Sequence, residues 1–323
     1  MIFRQLFDTE SSTYTYLLAD AGEGVIIDPV KKHLARDLKL IKELNIKLKF
    51  ILETHIHADH ISGAADLQEA TLAEIGVSKN SGAKASLLLN DNDQLTLGNT
   101  KIKVIATPGH TNGCLSYYVD GKLFTGDSLM IRGTGRTDFQ EGSAELLYES
   151  ILKLFSYPEG TLVYPAHNYN GILNSTIGEE KTHNLRLAAK SKAEFVEIMN
   201  NLNLPEPKLI KIAVPANLNF GAFINIDQLR NIQDNLPENN LILDVRTPEE
   251  YSQGHIPESL NIPLDYLEQH LAEIKDYQTV YIHCHMGGRA KQAYQILKEK
   301  GFSNLLWVTE GMASWSEKGY PIV

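Results

Sequence analysis

Apolar positions along the chain fall into two patterns. Lys101-Ile102-Lys103-Val104 alternates strictly, as a half-buried strand does. Val25-Ile26-Ile27 and Lys49-Phe50-Ile51-Leu52 are short apolar strands, and residues 31–44 between them read as a helix. Met1–Phe7 reads as the first strand. Ala144, Leu147, Ile151 and Leu154 recur at helical spacing behind Ser143, a suitable N-cap. Glycine-containing turns follow strands at Thr107-Pro108-Gly109-His110 and Thr125-Gly126-Asp127, where a sheet can hold functional loops in place.

The pattern changes past residue 200. Pro205, Pro207 and Pro215 break a polar stretch that ends at Asn217-Leu218-Asn219-Phe220-Gly221. From Ile224 onward, Leu241-Ile242-Leu243, Val280-Tyr281-Ile282 and Leu305-Leu306-Trp307-Val308 are near-continuous apolar runs separated by helical segments. That predicts a parallel sheet covered on both faces. Ala290, Ala293, Tyr294 and Leu297 make one face of a helix closed by Gly301. The boundary is expected near 221–225, giving domains over 1–221 and 224–323; at about 150 residues per domain, 323 residues also favour two.

Composition narrows the function. Lys plus Arg is 30 and Asp plus Glu is 40, a net charge of −10, which argues against nucleic-acid binding. No apolar run reaches the 18 or so residues of a membrane helix, and the N-terminus lacks a signal-peptide layout. Two cysteines exclude a disulfide framework, so a reducing cytoplasm is the expected location. Cys114, after Asn112-Gly113, reads as a buried structural thiol.

Thr54-His55-Ile56-His57-Ala58-Asp59-His60 places three imidazoles and a carboxylate in seven residues, just after the strand that ends near Leu52. Imidazole with carboxylate suits first-row transition metals. His55 and His57, two apart, point the same way on extended backbone. His110, Asp127 and His167 are further candidates on downstream loops.

This order of ligands resembles the metallo-β-lactamase superfamily over residues 1 to 221, which implies a four-layer αββα sandwich with the metal site at one edge of the sheets. Among hydrolases of the glyoxalase II type, all seven positions would hold two metals: His55, His57 and His110 one, Asp59, His60 and His167 the other, with Asp127 bridging. Among persulfide dioxygenases, three hold one iron, and by position these would be His55, His110 and Asp127. His57, Asp59, His60 and His167 would then support them. Ile131–Gln140, Tyr164–Tyr169, Asn201–Pro205 and Val214–Asn217 resemble the persulfide dioxygenase pattern. Thr134 stands where many relatives carry Cys, and Asn168 where an acid is usual.

The resemblance implies one Fe(II) per chain and oxidation of glutathione persulfide by O₂ to sulfite and glutathione. Two histidines and a carboxylate leave coordination positions open, as in non-haem iron oxygenases. Arg136 and Arg186 are candidates to clamp the glutathione carboxylates through forked hydrogen bonds, and Tyr169 and Asn217 to bind its backbone. The alternative is a dinuclear zinc thioester hydrolase whose C-terminal part is a non-catalytic binding module.

Cys284-His285-Met286-Gly287-Gly288-Arg289 lies between the strand Val280–Ile282 and a helix expected from Ala290. A thiol facing a helix N-terminus is favoured as the nucleophilic thiolate. With Asp244-Val245-Arg246, Glu250-Tyr251, Gly254-His255-Ile256-Pro257 and Asn261-Ile262-Pro263, the loop resembles a rhodanese domain over 224 to 323. The catalytic residues so implied are Cys284, carrying the sulfane sulfur, and Arg289. Phosphatase loops space Cys and Arg by five; here the spacing is four. His285 replaces the Arg common after the cysteine, which weakens the case for anionic donors. Thiosulfate or sulfite and glutathione are the expected partners, and a homodimer is left open.

Overall fold

The structure, a computed structural model, describes every residue except Asn170, Ala189, Asn219, Gly221, Ala222, Ser303 and Asn304. The chain forms two compact units, Met1–Phe220 and Gly221–Val323. Asn219, Gly221 and Ala222, at the end of the polar stretch and the expected junction, lie outside the described residues.

The first unit contains two six-stranded sheets. In one, β1 (Ile2–Asp8), β2 (Thr13–Asp20), β3 (Glu23–Ile27), β4 (Lys47–Leu52), β5 (Glu74–Ser78) and β6 (Leu87–Leu89) lie in sequence order. β1–β3 pair antiparallel; β3–β6 pair parallel. The helices Leu34–Glu43 and Ala64–Thr71 make the crossovers on either side of β4. The other sheet runs β12-β11-β10-β9-β8-β7, with β7 (Gln94–Leu97), β8 (Thr100–Ala106), β9 (Leu115–Val119), β10 (Lys122–Gly126), β11 (Leu162–Pro165) and β12 (Ser175–Thr176).

Side-chain alternation sets the layers. On β2, Tyr14, Tyr16 and Leu18 join Phe50, Leu52, Val104, Tyr117 and Phe124 in a core drawn from both sheets. Leu17 and Ala19, one step out of phase, pack with Ile41 and Leu67 beneath the helices. The second sheet's outer face packs on the helix Ala144–Phe155 through Leu147, Ile151 and Leu154. Ser143 caps that helix, its hydroxyl accepting from the Leu146 amide at 3.2 Å. The result is an αββα sandwich. Pro215, expected as a breaker, lies inside the helix Ile210–Asn217; one proline near a C-terminal turn forfeits a single intrahelical donor, and Leu218 still bonds to the Val214 carbonyl at 3.0 Å.

The second unit is a five-stranded parallel sheet, β13-β17-β16-β14-β15, formed by β13 (Phe223–Ile224), β14 (Asn240–Asp244), β15 (Ser259–Asn261), β16 (Thr279–Cys284) and β17 (Leu305–Gly311). One face packs on Ala290, Ala293 and Leu297, the other on Ile226, Leu229, Met312 and Trp315. No helix among the described residues is long and apolar enough to cross a membrane.

Candidate functional site

The histidine loop leaves β4 beside Asp28, at the end of β3. Asp28 accepts hydrogen bonds from the Thr54 amide (2.7 Å) and hydroxyl (2.9 Å), fixing the first residue of the loop. The Thr54 carbonyl accepts from Leu115 at 2.7 Å. Gln140 donates to the Ile56 carbonyl at 2.9 Å. The Asn217 amide closes the far side, donating to the His57 and His60 carbonyls at 2.9 Å each and accepting from Ser62 N at 2.9 Å.

So held, the loop brings its imidazoles together with those of the second sheet. Ring centroids of His55 and His57 are 4.1 Å apart, His57 and His60 4.4 Å, and His55 and His110 4.9 Å. The ligand atoms form separable clusters: His55 with His110 and Asp127, and His57 with Asp59, His60 and His167. His57 also shares a cluster with Asp28 and Glu53, its Nε2 lying 3.2 Å from Asp28 and 3.5 Å from Glu53.

In the first cluster the hydrogen bonds fall on the outward nitrogens. His55 Nδ1 meets the Thr54 hydroxyl at 3.0 Å, and His110 Nδ1 donates to the Arg136 carbonyl at 2.6 Å. That leaves Nε2 of each as the nitrogen for a metal, with ring orientation set by the other. Asp127 is oriented by His167 Nδ1, 2.7 Å away.

The electrostatics suit a cation. Burial and the neighbouring His57 and His110 keep His55 well below the usual imidazole range, so it presents a lone pair. Burial pushes the Asp127 carboxyl upward, but His167, His110 and His55 outweigh it and hold it well below the usual carboxylate range. Both ring nitrogens of His57 and Nε2 of His60 are buried without a hydrogen-bond partner. A buried neutral imidazole at His55 beside the ionised carboxylate of Asp127 supplies donors of the kind a transition-metal site uses.

Other expected site residues are placed as follows. Arg136 holds Asp138 through two hydrogen bonds (2.6 and 2.7 Å) and the Pro205 and Leu204 carbonyls at 2.6 and 3.0 Å. Arg186 donates to the Thr134 carbonyl at 2.5 Å. Asn217 is 1 % exposed, its amide engaged by the loop it braces. Tyr169 is 72 % exposed, with its ring nearly parallel to that of His167 at 6.3 Å. Cys114 is buried and accepts from Thr111; burial pushes its thiol up to about 11. The sequence reading missed Thr13, Asp28, Glu53 and Ser62. Asp28 alone carried a signal, an acid directly after the apolar Val25–Ile27.

In the second unit Cys284 is the last residue of β16 and is 1 % exposed. The following helix is Gly288–Glu299, two residues earlier than expected, so only His285, Met286 and Gly287 separate strand from helix. Gly287 has φ +85°, and a Cβ there would run into the Thr309 carbonyl; only glycine fits both conditions. Arg289, in the first turn, grips Glu250 with two bonds of 2.7 Å each. That pairing holds Glu250 down at about 2. Arg246 likewise holds Asp244, at 2.7–3.0 Å.

Known proteins are similar to this chain in sequence and fold. Residues 8–86 and 82–167 match the metallo-beta-lactamase superfamily, and 226–318 the rhodanese-like domain. The persulfide dioxygenase ETHE1 of Mus musculus is 46 % identical over 227 residues, covering 68 % of this chain and 89 % of the mouse protein. The chain belongs to the persulfide dioxygenase family. Its family likeness extends to solved structures: ETHE1 from Myxococcus xanthus superposes with a TM-score of 0.66 at 51 % identity, covering 67 % of this chain and 98 % of that one. A metallo-beta-lactamase from Staphylococcus aureus subsp. aureus COL superposes at 0.63 with 25 % identity over 96 % of this chain and 99 % of its own. As a persulfide dioxygenase family member with a rhodanese-like domain, the chain is an enzyme with a metal site of His and Asp ligands.

Proposed function

We propose that residues 1–221 oxidise glutathione persulfide with O₂, using one Fe(II) held by His55, His110 and Asp127, and that residues 224–323 transfer sulfane sulfur through Cys284. The observation that carries the reading is the three-residue cluster itself: two imidazoles and one carboxylate whose ligand atoms lie within 4.8 Å of one another. Fe(II) so held would offer open positions at which a soft persulfide sulfur and O₂ can meet. The overall reaction balances as glutathione persulfide plus O₂ plus water giving glutathione, sulfite and two protons.

The chain's own groups prepare that centre. The Arg136 carbonyl fixes the His110 tautomer and His167 fixes the Asp127 rotamer. Asn217 pins the loop backbone on which the histidines ride. Arg136 ties the Gly133–Gln140 segment to Leu204 and Pro205, so its part in substrate binding would be to shape the wall. Tyr169, with its exposed ring beside His167, suits contact with the peptide of glutathione.

At Cys284 the thiolate attacks the outer sulfur of thiosulfate; the S–S bond breaks and sulfite leaves with the bonding pair. Glutathione thiolate then attacks the outer sulfur of the cysteine persulfide, giving glutathione persulfide and restoring the thiolate. The product of this domain is thus the substrate of the other. Two free thiols fit a cytoplasmic setting.

Metal analysis tests the reading. Purified protein should contain about one iron per chain; two tightly bound zinc ions with thioesterase activity would replace it with the hydrolase reading.

A further inference from the structure

The second ligand cluster contains a residue that no metal site requires. Thr13, the first residue of β2, is fully buried. Its hydroxyl lies 3.3 Å from Asp59 Oδ2, 3.4 Å from His60 Nδ1 and 3.1 Å from His167 Nε2. Those atoms are close to one another, Asp59 Oδ2 being 3.1 Å from His60 Nδ1 and 3.0 Å from His167 Nε2. A point nearly equidistant from three atoms lies close to the line that rises from the centre of their triangle at right angles to it, and a cation shared equally by the same three would lie on that line as well.

The hydroxyl is held there from behind. Ser11 Oγ donates to Asp8 Oδ2 at 2.6 Å, so the Thr13 hydroxyl donates to Ser11 Oγ, also at 2.6 Å, and turns its lone pairs to the imidazoles. Asp8 is anchored in turn by the Ser11 amide (2.9 Å) and His33 Nε2 (2.9 Å). The Thr13 backbone forms an antiparallel bridge with His167, and Tyr14 N donates to the Ala166 carbonyl at 2.7 Å. The threonine is therefore fixed through its backbone to the same loop that carries His167. In the His55–His110–Asp127 cluster, by contrast, the hydrogen bonds on the imidazoles fall on the outward nitrogens.

We infer that Thr13 is the residue that keeps this protein to a single metal, its hydroxyl lodged among Asp59, His60 and His167 and accepting from the imidazoles in place of a second cation. The inference rests on the single-iron reading above and explains it within this chain: six histidine and aspartate side chains beyond His55 are present, yet half of them are knitted into a hydrogen-bonded cluster. A second ion would have to displace a pinned oxygen and break the hydrogen bonds it accepts from the imidazoles.

The test is metal binding to metal-depleted full-length protein, followed by cobalt(II) or zinc(II) titration and elemental analysis. Wild type should take one tight equivalent. Thr13→Ala and the near-isosteric Thr13→Val should each take a second equivalent roughly 10–100-fold more tightly than wild type does, the scale on which neighbouring hydrogen bonds tune metal sites. Thr13→Ser, which keeps the hydroxyl, should remain at one. Retention of the first equivalent and an unchanged circular dichroism spectrum establish that the variants fold. If Ala and Val variants bind the second equivalent no better than wild type, the inference is wrong while the single-iron reading stands. If wild type holds a second equivalent and Thr13→Ala weakens it, the hydroxyl is a ligand and the inference is overturned. Two tight equivalents in wild type, unaffected by any Thr13 substitution, would overturn the single-iron reading as well.

Discussion

Asn217 lies 160 residues after His57, yet holds its carbonyl and that of His60. In sequence it stands in a family motif and reads as a substrate contact; only the fold shows the amide buried against the histidine loop. Residues of this kind are illegible in sequence because pairing between distant segments is decided by topology. That His55, His57, Asp59 and His60 would share a site was legible because they stand within one short stretch, and His110 and Asp127 drew notice because they follow glycine-containing strand-end turns; the structure brings their ligand atoms into clusters. At this scale the account predicts a hierarchy. His55→Ala, His110→Ala and Asp127→Ala should each remove the iron, since each is one third of the protein's grip. Substitution of His57, Asp59, His60 or His167 by Ala should leave iron bound with affinity or activity lowered about 10–100-fold. Iron content by elemental analysis beside activity separates the two groups; His60→Ala or His167→Ala stripping the metal as fully as His55→Ala would contradict the assignment.

Among the elements, apolar runs located the strands well: Val25–Ile27 falls in β3 and Leu241–Leu243 in β14. Helix starts were less legible. Ser143 announced its helix with a side-chain cap, whereas the helix after Cys284 begins at Gly288 with no side-chain cap. Its start is set by Gly287, whose positive φ turns the chain sharply, and by the Arg289–Glu250 pair that ties the first turn to the helix Pro248–Ser252. The pair gives this element a pH signature. Glu250 is held at about 2 against an ordinary 4.5, chiefly by its hydrogen bonds to Arg289. A depressed carboxyl stabilises the fold fully above its unfolded value and loses that contribution as pH falls through the folded one. The difference in urea midpoint between wild type and Glu250→Gln should therefore be constant above about pH 5 and shrink from pH 4.5 toward 2. A difference that grows on acidification would contradict the sign. Both side chains are about one-third exposed, so solvent screening keeps the effect modest.

At the scale of the molecule, the composition shift past residue 200 and the change from mixed to parallel strand patterning made two units legible, and the αββα layering was implied by the resemblance to the metallo-β-lactamase superfamily. The two chemistries should be separable. Cys284→Ser keeps the loop's shape but lacks a nucleophilic anion near neutral pH. It should abolish sulfur transfer between thiosulfate and glutathione while leaving O₂ uptake on supplied glutathione persulfide largely intact, since every residue of the metal clusters lies within the first unit. O₂ uptake driven by thiosulfate with glutathione should vanish in the same variant. Full sulfurtransferase activity in Cys284→Ser would remove that residue from the role of carrier.

The central claim is persulfide oxidation at a single iron, and the most direct measurement is oxygen consumption on glutathione persulfide by protein of known metal content, with sulfite quantified in the same reaction. The account predicts one O₂ consumed and one sulfite formed per persulfide, at a rate proportional to bound iron. Iron-loaded protein that consumes no O₂ with this substrate, or activity that follows zinc content, would contradict it.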